Sequence, residues 1–536
     1  MRPIQTLLLV LIFNPFALSA QEALATRTIA ADLAREAGPL NHKFDLCVGA
    51  GRANEGLRAD WQRQLAEAHE LCGFRYIRFH GLLCDDMGVY RIDGDGREIY
   101  NWQYIDELFD YILETGMRPF VELGFMPEAL ASGKATIFWW EGNVTPPNNP
   151  ERWQALIAAL VQHWTDRYGE EEVARWYFEV WNEPNLSGFW LGDQGDQPYE
   201  EWEPHAREKY FDLYAITARA VKSVNERYRV GGPATAGNAW IPEFIDYCVD
   251  HGVPVDFVST HHYAVIAGYL DETGQAGTVL SPDRQEVIKQ VHEVREQIEN
   301  SPRPGLELHY TEWSSSYTPS DPLHDSYHSA AFILHKIKGT GDAVQSMSYW
   351  TFTDIFEEAG PRVTPFHGGF GMINYQDIRK PSFYAYHFLH QLGDTELVVD
   401  DPDAWICKDG NQRVQALFWD FTITHPGSET LNQIYYRQDL PSAPAGTARL
   451  RLDGLEPGPY SLIARKVGYR ANDAYTGYID MGQPDQLSRT QVATLQEMSD
   501  GDPFLVETVF VDGNGTFERD FELRQNDVVL VTLERQ

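Results

Sequence analysis

The sequence predicts a closed (β/α)8 TIM barrel followed by a C-terminal β-sandwich, and three observations carry that prediction. Between residues 42 and 395, eight apolar strand-like runs alternate with amphipathic helical stretches, the pattern of a parallel sheet covered by helices. The acids, histidines and amides that interrupt the runs collect at their C-terminal ends, the end at which a barrel opens. After about residue 395 helical periodicity gives way to short runs divided by Gly, Pro and Asp. With 536 residues the chain accommodates one barrel of about 250 residues or more and a second domain.

Taken in chain order, Arg2, the apolar run Leu7–Phe13, Asn14-Pro15 and the small residues Ala17–Ala20 form the pattern of a cleavable export signal over residues 1–20. The run is far short of the roughly 20 residues of a membrane span, so the expected location is secreted or periplasmic. Residues 21–40 form an N-terminal segment whose candidate partner is the sandwich. Residues 41–395 make the barrel and 396–536 the sandwich.

The eight barrel runs are Lys43–Ala50, Arg75–Leu82, Arg118–Phe125, Arg175–Val180, Arg229–Ala234, Val255–Tyr263, Leu306–Trp313 and Gln345–Phe352. Helical stretches at Leu57–Cys72, Trp102–Thr115, Pro150–Tyr168, His205–Tyr228 and Arg284–Glu299 repeat apolar residues at the spacing of a helix laid on a sheet. An open doubly wound sheet is the alternative, but no Gly-rich phosphate loop follows the first run. Beyond the barrel, Val414–Phe421, Thr447–Asp453, Tyr460–Val467, Leu505–Val511, Phe517–Leu523 and Asp527–Leu533 read as short strands, with one helical piece at Asp485–Met498. Without a long Ser/Gly linker, the two domains are expected to dock.

Composition narrows the function classes. A net charge of −36 argues against nucleic-acid partners, which need clustered Lys and Arg, and against anionic membrane surfaces. The five cysteines show no CxxC pair and no regular spacing, so the fold does not depend on a disulfide framework. The sequence carries no signal for an oligomeric state.

The strand ends hold the chemistry. Strand two ends at Arg78-Phe79-His80, three at Glu122-Leu123-Gly124-Phe125 and four at Trp181-Asn182-Glu183-Pro184-Asn185. Strand six ends at His261-His262-Tyr263, seven at Thr311-Glu312-Trp313 and eight at Trp350-Thr351-Phe352. Glu183 and Glu312 thus face each other across the barrel mouth within an aromatic rim. Glycosidic bond cleavage needs one carboxyl to protonate the leaving oxygen and another to attack the anomeric carbon or activate water. His261-His262 does not suggest a metal centre, because adjacent strand residues point to opposite faces. No metal or cofactor is expected.

Phe178-Glu179-Val180-Trp181-Asn182-Glu183-Pro184-Asn185 resembles the acid/base signature of glycoside hydrolase clan A. Six separated segments, beginning Arg78-Phe79-His80-Gly81, Glu141-Gly142-Asn143, Val255-Asp256-Phe257, Tyr310-Thr311-Glu312, Ser348-Tyr349-Trp350 and Phe366-His367-Gly368-Gly369, resemble family 39 and within it bacterial β-xylosidases. The resemblance implies a retaining exo-glycosidase acting on an oligosaccharide, with Glu183 as general acid/base and Glu312 as nucleophile. It also implies a sugar pocket of His80, Phe125, Asn182, His261, Tyr263, Trp350 and Glu358. Three departures from the family pattern stand out: Thr260 where an Arg is expected before His261, His262 where a small residue is expected after it, and Trp313 where Tyr often follows the nucleophile. The alternatives within the family are an α-L-iduronidase-like enzyme, an arabinosidase or a β-glucosidase. From another class, the alternative is a non-catalytic carbohydrate-binding protein.

Overall fold

The computed structural model describes residues 26–192, 197–270, 276–410 and 412–536, so the expected export signal lies outside the described residues. Eight parallel strands close into a barrel: Cys47–Arg52, Tyr76–His80, Arg118–Leu123, Tyr177–Val180, Arg229–Ala236, Phe257–Tyr263, Glu307–Ser314 and Ser346–Tyr349. Each overlaps its predicted run. The eighth is shorter than expected, because the chain leaves the sheet at Trp350 and turns into the mouth. Gly49 permits this turn: a Cβ there would lie 2.3 Å from the Trp350 ring.

Strand alternation sorts the side chains. In strand four, Tyr177 packs inside the barrel, while Phe178 and Val180 join the apolar layer under the helices. Cys47, Phe120, Tyr177 and Phe257 plug the bottom, with Phe120 stacked on Tyr177 at 4.8 Å. Above them lie Arg78, Glu122 and Glu179, all buried, and above those the mouth.

The covering helices include Ala59–Cys72, Gln103–Glu114, Pro150–Tyr168, Tyr199–Val224 and Ile288–Glu299. Pro150–Tyr168 has its predicted bounds because Pro150 occupies the first turn and the Asn149 side chain accepts a hydrogen bond from the Arg152 amide. Tyr199–Val224 starts earlier than expected and runs through Pro204. The helices Ile241–Asp250, His328–Gly339 and Pro381–His390 are not among the predicted stretches. The last two are buried nearly all round, which erases the polar stripe that periodicity detects.

The C-terminal region forms a seven-stranded and a three-stranded sheet, with Ile29, Leu450, Leu462 and Leu533 in one apolar cluster between them. The first described residues join this domain: Thr26–Asp32 pairs in parallel with Pro444–Asp453, and Glu36–Pro39 pairs with Thr395–Leu397. Trp405, Trp419 and Phe421 belong to the same cluster as the barrel helices. His335 bonds Asp403 at 2.7 Å and Arg284 covers the Phe421 ring at 4.7 Å, so barrel and sandwich share a continuous interface. All five cysteines are buried and unpaired. Among the described residues no helix is long and apolar enough to cross a membrane.

Candidate active site

Beyond strand four the backbone turns through left-handed conformations at Trp181 (φ 71°) and Glu183 (φ 44°), which cost of order 1 kcal/mol or more each. The surroundings hold the turn. The Trp181 indole donates to the Phe189 carbonyl at 2.8 Å, and its ring packs edge-on to Phe125 and Trp190. The Glu183 amide donates to the Ala234 carbonyl at 2.8 Å, and Asn185 exchanges two 2.9 Å hydrogen bonds with the Ala236 backbone. The Asn-Glu-Pro-Asn sequence is therefore a clamp on strand five that aims Glu183 into the mouth.

Arg78 is the hub beneath it. Its guanidinium reaches Glu179 at 2.6 Å, Glu312 at 2.6 Å, Glu122 at 2.8 Å and the Asn182 side-chain oxygen at 2.9 Å. Burial opposes the arginine's charge, but Glu179, Glu122 and Glu312 outweigh it and hold its pKa high. Burial likewise acts to raise the Glu179 pKa, and Arg78 overcomes it to bring the group below its ordinary value. Glu312 is clamped on both oxygens, by Arg78 on Oε1 and by the Tyr263 hydroxyl at 2.8 Å on Oε2.

Glu183 has a different environment. Its Oε1 lies 2.9 Å from His261 Nδ1. Its pKa is raised from 4.5 to about 7, first by burial and then by Glu122, against His80 and Arg78. Removal from water is thus the leading cause. His261 Nδ1 also lies 3.6 Å from Glu312 Oε2, and Glu183, His261 and Glu312 present one atom each within 4.8 Å of one another. This group is already satisfied by hydrogen bonds and by the Arg78 cation. His262 faces away and bonds Glu286 at 2.8 Å.

The remaining predicted residues line one end of the mouth. His80 Nδ1 bonds Glu122 at 2.7 Å, while Nε2 faces Glu312 and Glu358 at 3.5 and 3.6 Å. Burial lowers the His80 pKa to about 4, leaving the ring neutral near pH 7. Trp350 lies 4.8 Å from His80 and covers Arg78 at 5.5 Å; Phe125 lies 6.0 Å from His80. Glu358 is largely enclosed, its side chain 12% exposed, and removal from water first, then Glu312, holds its carboxyl well above the usual range. Its neighbour Glu357 pairs instead with Arg52 and Arg58. Arg52 also pairs with Asp86 and covers the Trp140 ring at 5.3 Å, tying four loops together behind this end.

Sequence reasoning placed no role on Arg78, Glu122, Glu179, Phe138 or Thr311. Inward parity on their strands is a usable signal for the first three. Phe138 stacks on His80 at 5.9 Å from a loop turn with φ 66°, which no periodicity announces.

The family model for glycosyl hydrolases family 39 matches residues 27–513. A beta-xylosidase of Geobacillus stearothermophilus is 38% identical over 511 residues, 94% of each chain. The crystal structure of the family 39 enzyme from Xanthomonas axonopodis pv. citri superposes with a TM-score of 0.91 at 43% identity, covering 97% of this chain and 99% of that one. That of a monomeric beta-xylosidase from Caulobacter crescentus gives 0.89 at 45% identity, covering 95% and 100%. A barrel whose mouth holds two glutamates with different partners, matched along nearly its whole length, makes this chain a glycoside hydrolase belonging to family 39.

Proposed function

We propose that the protein is an exported, retaining β-xylosidase that releases terminal xylose from xylo-oligosaccharides. The observation that carries the mechanism is the pairing of Glu183 and Glu312, with oxygens within 4.8 Å. That spacing suits a retaining pair, whose carboxyl groups stand about 5–5.5 Å apart, and leaves too little room for the water of an inverting pair. Glu312, held by Arg78 and Tyr263, attacks the anomeric carbon as Glu183 protonates the departing oxygen. The glycosyl–Glu312 ester then hydrolyses, with Glu183 removing a proton from the incoming water. The Asn182 oxygen is committed to Arg78, which leaves its amide donors for a hydroxyl of the bound sugar.

Exo-action is supported by the blind end behind His80, closed by Trp140 and the Arg52 network. Xylose is supported by the pocket's charge. A uronate carboxylate buried without a counter-ion costs several kcal/mol, and the wall offers Glu358, while Arg78 is taken by three glutamates. Arg362, the base beside Glu358, donates to the Pro319 carbonyl. Xylose has no C6 group, and Phe125 and Trp350 are fully packed where a hexose needs room. Export rests on residues 1–20.

A panel of nitrophenyl glycosides tests the reading. The β-D-xyloside is expected to exceed the glucoside, arabinoside and iduronide in kcat/KM. A better iduronide would overturn the sugar and leave the two-glutamate mechanism standing; no turnover of any member would favour a binding protein.

A further inference from the structure

Thr311 lies one residue before Glu312 and is fully buried. Its hydroxyl nevertheless has two partners: it donates to Glu179 Oε1 at 2.8 Å and stands 3.1 Å from His261 Nε2. Glu179 is ion-paired to Arg78 at 2.6 Å, and an ionised carboxylate only accepts hydrogen bonds. The single Thr311 hydrogen is therefore committed to Glu179. At 3.1 Å the contact with His261 then requires the ring to donate, so Nε2 carries the hydrogen. A neutral imidazole with hydrogen on Nε2 has a bare lone pair on Nδ1. That lone pair faces Glu183 Oε1 at 2.9 Å, and two acceptors at that distance need a proton between them. The proton belongs to Glu183.

We propose that Thr311 is a positioning residue: by spending its hydrogen on Glu179 it fixes the His261 tautomer, so that Nδ1 accepts from Glu183 and keeps the acid loaded for leaving-group protonation. The chain runs from the Glu179 carboxylate through the Thr311 hydroxyl and the His261 ring to the Glu183 carboxyl, with each hydrogen pointing toward Glu179. A hydrogen bond to the neutral form of an acid favours that form, which agrees in direction with the raised Glu183 pKa and with His261 lowered by burial to about 4. The other charged or titratable groups facing this pair are Arg78 and His80 from strand two, Glu122 from strand three, Tyr263 from strand six, Glu312 from strand seven and Glu358 from the loop after strand eight. None of them contacts His261 Nε2, so none substitutes for Thr311 in setting the tautomer.

The inference rests on Glu183 being the acid, and the test separates the two. Thr311→Val keeps shape and removes the hydroxyl. His261 is then free to hold its hydrogen on Nδ1 and donate to a Glu183 carboxylate, which reverses the preference. The alkaline limb of kcat/KM for a poor-leaving-group xyloside is expected to move to lower pH by about one unit, with acid-side activity retained. Thr311→Ser, which keeps the hydroxyl, is expected to restore the wild-type profile, a rescue that a purely packing role would not need. A Thr311→Val profile that overlays wild type, or a Thr311→Ser profile shifted like it, overturns the proposal. Glu183→Gln supplies the separate control: if the alkaline limb persists there, the acid assignment itself falls. Should Thr311→Val fail to fold, Glu179→Gln reads the same chain, because an amide that donates to Thr311 turns its hydroxyl toward His261 and again reverses the tautomer; an unshifted limb in that variant is equally damaging.

Discussion

On the proposed mechanism, Glu183→Ala removes the proton donor while leaving Glu312 clamped by Arg78 and Tyr263, so the variant keeps its nucleophile and loses only acid/base help. The expected size follows from the carboxyl's position. General acid catalysis contributes about 10²–10⁴-fold, roughly 3–5 kcal/mol of barrier. With a pKa raised to about 7, wild-type Glu183 is loaded below pH about 6 and loses about tenfold of its acid form per unit above 7. The wild-type to variant ratio for xylo-oligosaccharides is thus largest on the acid side and shrinks by roughly tenfold per unit beyond about pH 7. Aryl xylosides with acidic leaving groups need little protonation, so their first step survives and hydrolysis of the glycosyl-enzyme becomes limiting. Azide, which needs no base, then accelerates turnover and yields the β-glycosyl azide. The assay is kcat and kcat/KM across leaving groups of graded acidity, from about pH 5 to about pH 9. A loss independent of leaving group, or an alkaline limb unchanged in the variant, would refute the assignment.

Glu312→Ala is expected to abolish turnover, and azide entering from the vacated side should give the α-glycosyl azide; recovery of the β-product or near wild-type activity contradicts the nucleophile role. Arg78→Met leaves Glu122, Glu179 and Glu312 without the cation that now reaches all three, which should lower stability by about 3–5 kcal/mol near pH 7. Unpaired buried carboxyls take up protons in the folded state, so this deficit should shrink as pH falls toward about 5; thermal unfolding at both pH values reads it, and a pH-independent deficit would mean that packing rather than charge is at stake.

How much of this was legible beforehand divides along physical lines. Barrel strands reveal themselves because each must be apolar on the face under the helices and must end where polar side chains enter the mouth; Phe178-Glu179-Val180 and Glu183 show both features in one segment. The helices that periodicity missed are those, such as His328–Gly339, with almost no solvated face. The predicted roles of Glu183 and Glu312 needed only strand-end position, residue type and the surrounding motifs. The different partners of the two carboxyls did not follow from sequence, because they come from groups distant in the chain. Arg78 reaches Glu312 across 234 residues, and His261 reaches Glu183 across 78. Likewise Thr26–Asp32 finds its strand partner more than four hundred residues away. Periodicity and strand-end chemistry are local and survive in one dimension. Burial, hydrogen direction and the sharing of one arginine among three glutamates exist only once the barrel closes, because only closure excludes the water that would otherwise level them.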